Sequence, residues 1–227
     1  MARVTGNVLG NLRGRLGNLS ARTVNGQTIL SARPESFTLS QTPESIQARK
    51  KFGVTGGFSK FIAEVPLLND IWAKVKLPGI SVFNTMFKKN YPFSSTSNPT
   101  IDNIITPGGF GIPVTSAVVS ENDVSLELAA LNTNAVFSAD EVDLSIATLV
   151  MYYNPINLED EAFKVIKLTK DQAAFDFSTS YITTLNLDVV QKQVAAKYLN
   201  SIMYLAVASK TSDGKIVQYS ATYSQEN

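Results

Sequence analysis

Val124-Ser125-Leu126-Glu127-Leu128 alternates apolar and polar residues without a break. That is the two-residue period of a strand with one face in a core and the other toward solvent. Working outward, the same reading gives strands over 117–119, 144–153, 163–168, 175–177, 202–208 and 216–223, with Asp213-Gly214 as a turn before the last of them. Seven short strands over this length imply an immunoglobulin-like β-sandwich. One helix interrupts them, because Asp188-Val189-Val190-Gln191 reads as a capping-box start to a short helix reaching about Leu199.

Toward the N-terminus the pattern changes. Residues 92–100, Pro-Phe-Ser-Ser-Thr-Ser-Asn-Pro-Thr, are polar, proline-bounded and aperiodic, which reads as a linker. Before it, 67–76 and 80–89 read as two helices separated by Leu77-Pro78-Gly79, with Trp72, Val75, Val82, Phe83, Met86 and Phe87 on their buried faces. Thr42-Pro43-Glu44 combines an N-cap, a proline at the first helical position and an early acid, so a further helix starts there, with Gly53, Gly56 and Gly57 as points that interrupt it. Asn25-Gly26 between 19–24 and 27–32 is the dipeptide of a tight β-hairpin turn. The first 18 residues repeat glycine about every fourth position and read as an extended arm lying against something else. The expected fold class is therefore α+β: an N-terminal extended arm (1–18), a hairpin plus helical region (19–91), a linker (92–100) and an immunoglobulin-like sandwich (101–227).

Composition removes most catalytic chemistry. The 227 residues include no Cys and no His, which excludes disulfides, thiolate or imidazole metal ligands and every triad that uses His as its base. At 44% hydrophobic and 17% charged the chain is globular, slightly poor in charge, and some of its surface is expected to meet partners. No stretch reads as a signal peptide or a membrane span, so the chain is read as soluble and unprocessed, with no membrane partner.

Charge is segregated. Residues 1–90 carry 13 Lys/Arg and 4 Asp/Glu, a balance of +9, and residues 91–227 carry 7 and 15, a balance of −8. Such a dipole suits copies that stack basic face to acidic face, and it also arises by chance in domains of different ancestry. The basic residues that stand out are Arg3, Arg13, Arg15, Arg22 and Arg33, with no acid before Glu35, followed by Arg49, Lys50 and Lys51. Arginine makes paired hydrogen bonds to carboxylate and phosphate, so these residues are candidates for contact with a neighbouring subunit or with a DNA backbone. Aromatic residues are absent from the first 36 positions, which speaks against base stacking.

Other motifs carry less. Neither a phosphate-binding loop nor a dinucleotide fingerprint occurs, and Gly56-Gly57-Phe58-Ser59-Lys60 reads as a helix junction rather than an anion cradle. Asp140-Glu141-x-Asp143 and Glu159-Asp160-Glu161 lack the spacing of a calcium loop and read as solvated turns. No catalytic, cofactor-binding or metal-binding residue is assigned, and the chain is not read as an enzyme.

The order Gly10-Asn11-Leu12-Arg13-Gly14-Arg15-Leu16-Gly17-Asn18, hairpin, Ser31-Ala32-Arg33-Pro34, then Thr42-Pro43-x-x-x-Gln47-x-x-x-Lys51-Phe52 resembles an uncharacterised protein family of Bacteroidota and their phages. Leu149 to Pro155, ending Tyr-Asn-Pro, and Tyr204 to Ser209 with Asp213-Gly214-Lys215 are similar to that family's later strands. Two departures stand out: Glu35-Ser36-Phe37-Thr38-Leu39 replaces the basic run usual before the helix, and 188–200 is extra. The resemblance implies small ring proteins below the portal in the short tail of crAss-like phages of gut Bacteroides. It implies a structural virion protein in a homo-oligomeric connector or tail ring, made in the bacterial host cytoplasm, with the portal and neighbouring tail or ring proteins as partners. The alternative is a sandwich module that binds a surface carbohydrate or protein, for which Tyr152, Tyr153, Tyr198, Tyr204, Tyr219 and Tyr223 are the available aromatics.

Overall fold

The computed structural model describes residues 13–24, 26–32, 36 and 38–227. The chain divides into two units, Met1–Ile46 and Gln47–Asn227.

In the first unit β1 (Gly14–Leu16), β2 (Leu19–Val24) and β3 (Gln27–Ala32) form an antiparallel sheet in chain order. Its two turns use glycines in the left-handed region, Gly17 at φ 57° and Gly26 at φ 76°, where a side chain would be strained. The second turn is the one the sequence marks, and its Asn25 lies outside the described residues, as do residues 1–12. The described end of the arm is extended against the hairpin, with Gly14 opposite Ala21 and Arg15 opposite Ser20.

Helix α1 (Pro43–Ala63) opens where the Thr42 hydroxyl accepts the Ser45 N–H at 3.3 Å. Its glycines do not interrupt it. A Cβ at Gly56 would sit 4.0 Å from the Phe87 ring and one at Gly57 3.8 Å from the Phe163 ring, so these positions let neighbouring aromatic rings come close to the helix. Then follow α2 (Pro66–Val75), α3 (Val82–Asn90), β4 (Val114–Val119), β5 (Asp123–Leu128), β6 (Asp143–Pro155), β7 (Phe163–Gln172), β8 (Tyr181–Asn186), α4 (Val189–Ala195), β9 (Tyr198–Lys210), β10 (Ile216–Tyr219) and β11 (Tyr223–Glu226). The fold is α+β.

The second unit is built in three layers around β6 and β9. These strands lie at the centre of an antiparallel sheet ordered β10-β9-β6-β7, with β11 also paired to β9. Even-numbered residues of β6 such as Ile146 and Val150, with Met203, Leu205 and Val207 of β9, pack with Val124, Leu126 and Leu128 of the second sheet, ordered β4-β5-β8. The opposite face, including Leu149, Met151, Tyr204 and Ala206, packs on Phe58, Ile62, Leu68, Ile71, Trp72 and Met86 of the helices. A strand covered on both faces needs a nearly continuous apolar run, and Leu149-Val150-Met151-Tyr152 supplies one. Polar ends that enter the helical layer are paired: the Trp72 indole N–H donates to the Ile105 carbonyl at 2.9 Å and the Tyr204 hydroxyl to the Thr100 carbonyl at 2.6 Å.

Three expectations need correction. Residues 175–177 form no strand, and the strand in that region is Tyr181–Asn186. Val75 and Phe83 are 38% and 39% exposed, whereas Trp72 and Met86 are fully buried. The stretch 92–100 does not behave as a free linker, because it is hydrogen-bonded into the helical layer of the second unit. Asn103 Nδ2 donates to Asn90 Oδ1 at 2.9 Å and to Ser94 Oγ at 3.2 Å, and its Oδ1 accepts the Thr100 N–H at 2.8 Å. Aperiodic polar sequence here is a satisfied buried network rather than a solvated connection.

Candidate functional site

The basic residues singled out in the sequence fall into several places. Arg3 and Arg33 lie outside the described residues. Arg13 stands just before β1. Arg15 lies opposite Ser20, and Ser20 and Arg22 alternate onto the same face of β2, so Arg15 and Arg22 share one side of the small sheet. Arg13, Arg15, Arg22, Arg49 and Lys50 are all exposed, and among the described residues none forms an ion pair. Lys51 has a different task. Its Nζ lies 5.1 Å from the Tyr91 ring centroid and donates to the Pro92 carbonyl at 3.1 Å, tying α1 to the end of α3.

Beside Arg49 and Lys50 the helices present aromatic rings. Phe52, 61% exposed, lies 4.7 Å from the Phe87 ring, and Phe87 stacks on Tyr91 at 5.6 Å and meets Phe83 at 6.5 Å. Lys88 and Lys89 are exposed on the same helix as Phe83 and Phe87, and neither 45–63 nor 71–101 contains an acid. The spacing 83, 87, 91 that groups these rings is visible in the sequence, where it reads as a buried face; the structure leaves part of it in solvent. Register locates this surface. Glu64 pairs with Lys167 at 2.7 Å and Gly57 faces Phe163, while Lys167 and Phe163 lie opposite Leu149 and Tyr153 of β6. Helix α1 therefore runs along β7, and its Arg49–Phe52 turn lies toward the Tyr153 end of the central sheet.

At the other end, where β6 begins, there is an open cleft of about 490 Å³ lined by Phe137, Phe175, Phe177, Ser138, Asp176 and Glu141, among others. Phe137 and Phe177 stack at 4.1 Å, and Phe175 sets its edge against Phe177 at 4.9 Å and Tyr181 at 5.1 Å. Phe175 is held by its N–H to the Val142 carbonyl at 2.7 Å, after Ala174 in the left-handed region at φ 50°, whose N–H donates to Asp143 Oδ1 at 3.0 Å. Such a backbone state for alanine persists only where surrounding bonds impose it. Glu141 anchors the floor. Burial pushes its carboxyl pKa up, but the Ser138 N–H at 2.8 Å, the Ser209 hydroxyl and the Gln218 amide at 3.0 Å outweigh burial and hold it below the ordinary value. Asp176, beside the cleft, is also held low by the hydroxyl and N–H of Ser178. Phe137, Phe175 and Phe177 come from two separate loops, and no local sequence pattern joins them.

The tyrosines that a binding module would expose are mostly in the packing. Tyr152, Tyr198 and Tyr204 are buried; Tyr153, Tyr219 and Tyr223 are half-buried. Burial alone pushes the Tyr152 hydroxyl up to about 12, and that hydroxyl has no hydrogen-bond partner among the described residues. The run from Gly56 to Lys60 lies inside α1, where helical bonding occupies its N–H groups. Among the described residues no group of three or more carboxylates is placed to hold a metal ion, and no helix is long and apolar enough to cross a membrane.

No protein-family model and no curated protein matches the chain. Among solved structures it is similar to a β-glucosidase from Kluyveromyces marxianus, at 7% identity over 62% of this chain and with a TM-score of 0.17. The match spans 17% of that enzyme's chain, and a likeness this slight carries no argument about fold or activity.

Proposed function

We propose that the protein is a structural virion component, a subunit of a homo-oligomeric ring in the head-to-tail connector or tail of a phage, with no catalytic role. The observation that carries this reading is the set of exposed arginines and lysines that form no ion pair among the described residues: Arg13, Arg15, Arg22, Arg49 and Lys50. Such cations are available to carboxylates of a neighbouring copy, of the portal or of adjacent tail proteins, or to DNA phosphates. The immunoglobulin-like part of the reading is supported by strand order. Counting the eight strands from β4, the first, second and fifth form one sheet, and the third, fourth, sixth, seventh and eighth form the other. This differs from the constant-type immunoglobulin order in placing the fourth strand beside the third and in adding an eighth strand beside the sixth.

The test is the mass of the purified full chain in solution across a salt series, with imaging of any large species. The expected result is closed rings at low salt that dissociate as salt screens the charges. A monomer at every salt concentration contradicts the reading.

A further inference from the structure

We infer that copies associate head to tail through two surfaces at opposite ends of the second unit: the basic aromatic turn of α1 on one copy and the acidic aromatic cleft on the next. The inference rests on the ring reading and names the contact that would build it.

The occupant is argued from charge and shape. The α1–α3 surface carries Arg49, Lys50, Lys88 and Lys89 with no acid on either helical stretch, and it projects Phe52, 61% exposed. The cleft end carries Asp140, Asp143, Asp171, Asp176 and Asp213 against Lys170, Lys210 and Lys215, an excess of acid. Of these aspartates only Asp171 forms an ion pair among the described residues, with Lys210 at 3.3 Å. The cleft is walled by phenylalanine rings, its volume of about 490 Å³ accommodates an aromatic side chain, Asp176 lines it, and the exposed Asp140 sits between the lining residues Ala139 and Glu141. A phenyl ring flanked by two cations thus matches a phenyl-lined cleft flanked by two carboxylates. Because the register of β6 sets the two surfaces at opposite ends of the central sheet, one copy cannot satisfy both within itself. The contact joins unlike patches, so it repeats from copy to copy and closes into a ring when the rotation allows.

The experiment uses the full chain at low salt, with sedimentation velocity as the readout. One variant carries Arg49→Glu and Lys50→Glu, a second Asp140→Lys and Asp176→Lys, and a third all four; a Phe52→Ser chain removes the knob without touching charge. Thermal unfolding verifies that each variant folds. Each two-site variant and Phe52→Ser should self-associate at least about tenfold more weakly than the natural chain, since like charges or an empty cleft then face each other. An equimolar mixture of the two charge variants should regain assembly with the two alternating, because the intact head of one meets the intact cleft of the other and the reversed head meets the reversed cleft, and the four-site chain should regain assembly for the same reason. If the natural chain assembles and both charge variants assemble equally well, or if their mixture stays as dissociated as either variant alone, these surfaces are not the contact and the ring reading stands without them. If the natural chain is monomeric at every salt concentration, both fail.

Discussion

The small sheet of the first unit and the central sheet of the second are both antiparallel, yet they differ in what holds them. From Leu144 to Tyr152 β6 has nine consecutive buried residues, covered by a sheet on one side and helices on the other. Among the residues of β2 and β3, only Ala21 is buried. Leu19, Ala21, Leu30 and Ala32 share one face of this sheet, but with only Ala21 of them buried it has little core of its own. Its other face presents Arg15 and Arg22. The contrast separates a unit fixed by its own cores from one whose residues are directed outward.

The comparison is broken most severely by attacking the helical layer. Trp72→Ala empties a fully buried site and orphans the Ile105 carbonyl. It should cost about 3–5 kcal/mol, read as a lowered urea midpoint of the main transition. A smaller effect comes from the cleft floor. Glu141→Gln removes an acceptor used by Ser138, Ser209 and Gln218 and should cost about 1–3 kcal/mol at neutral pH. Because the folded-state pKa of Glu141 lies below the ordinary 4.5, its contribution is present above that value and is lost as pH falls through the folded pKa. In acid titrations followed by urea unfolding, the natural chain should lose stability below about pH 4.5 more steeply than Glu141→Gln. Parallel curves would remove Glu141 from the account.

Local signals in the sequence located local structure well. Asn25-Gly26 marks the turn between strands that run over Leu19–Val24 and Gln27–Ala32, and Asp188 with Gln191 marks the capping box that opens α4, where both reciprocal bonds form. What depended on distant partners was hidden. The helix α1 continues through Gly53, Gly56 and Gly57, and at the last two Phe87 and Phe163 pack close to it, a contact that no window along α1 contains. Tyr181–Asn186 reads poorly as a strand because its alternate residues Ile182 and Thr184 face solvent while only Thr183 and Leu185 are buried. The turn 92–100 resembles a linker until Asn90 and Asn103 are seen closing a network around it. Charge segregation was legible as a count; the structure adds that Lys51 serves the fold whereas Arg49 and Lys50 face outward. The cleft had no sequence signature because its rings arrive from loops on either side of β6 and β7.

The smallest expected effect is also the most direct test of the division of labour. Removing residues 1–38 keeps the Thr42 cap and both cores of the second unit. Unfolding free energy of the shortened chain, measured beside the full chain and paired with solution mass at low salt, should stay within about 0.5 kcal/mol while association weakens. A shortened chain that unfolds several kcal/mol more easily, or that assembles as well as the full one, would show that the first unit belongs to the core of the fold or contributes nothing to partners, and would contradict the account.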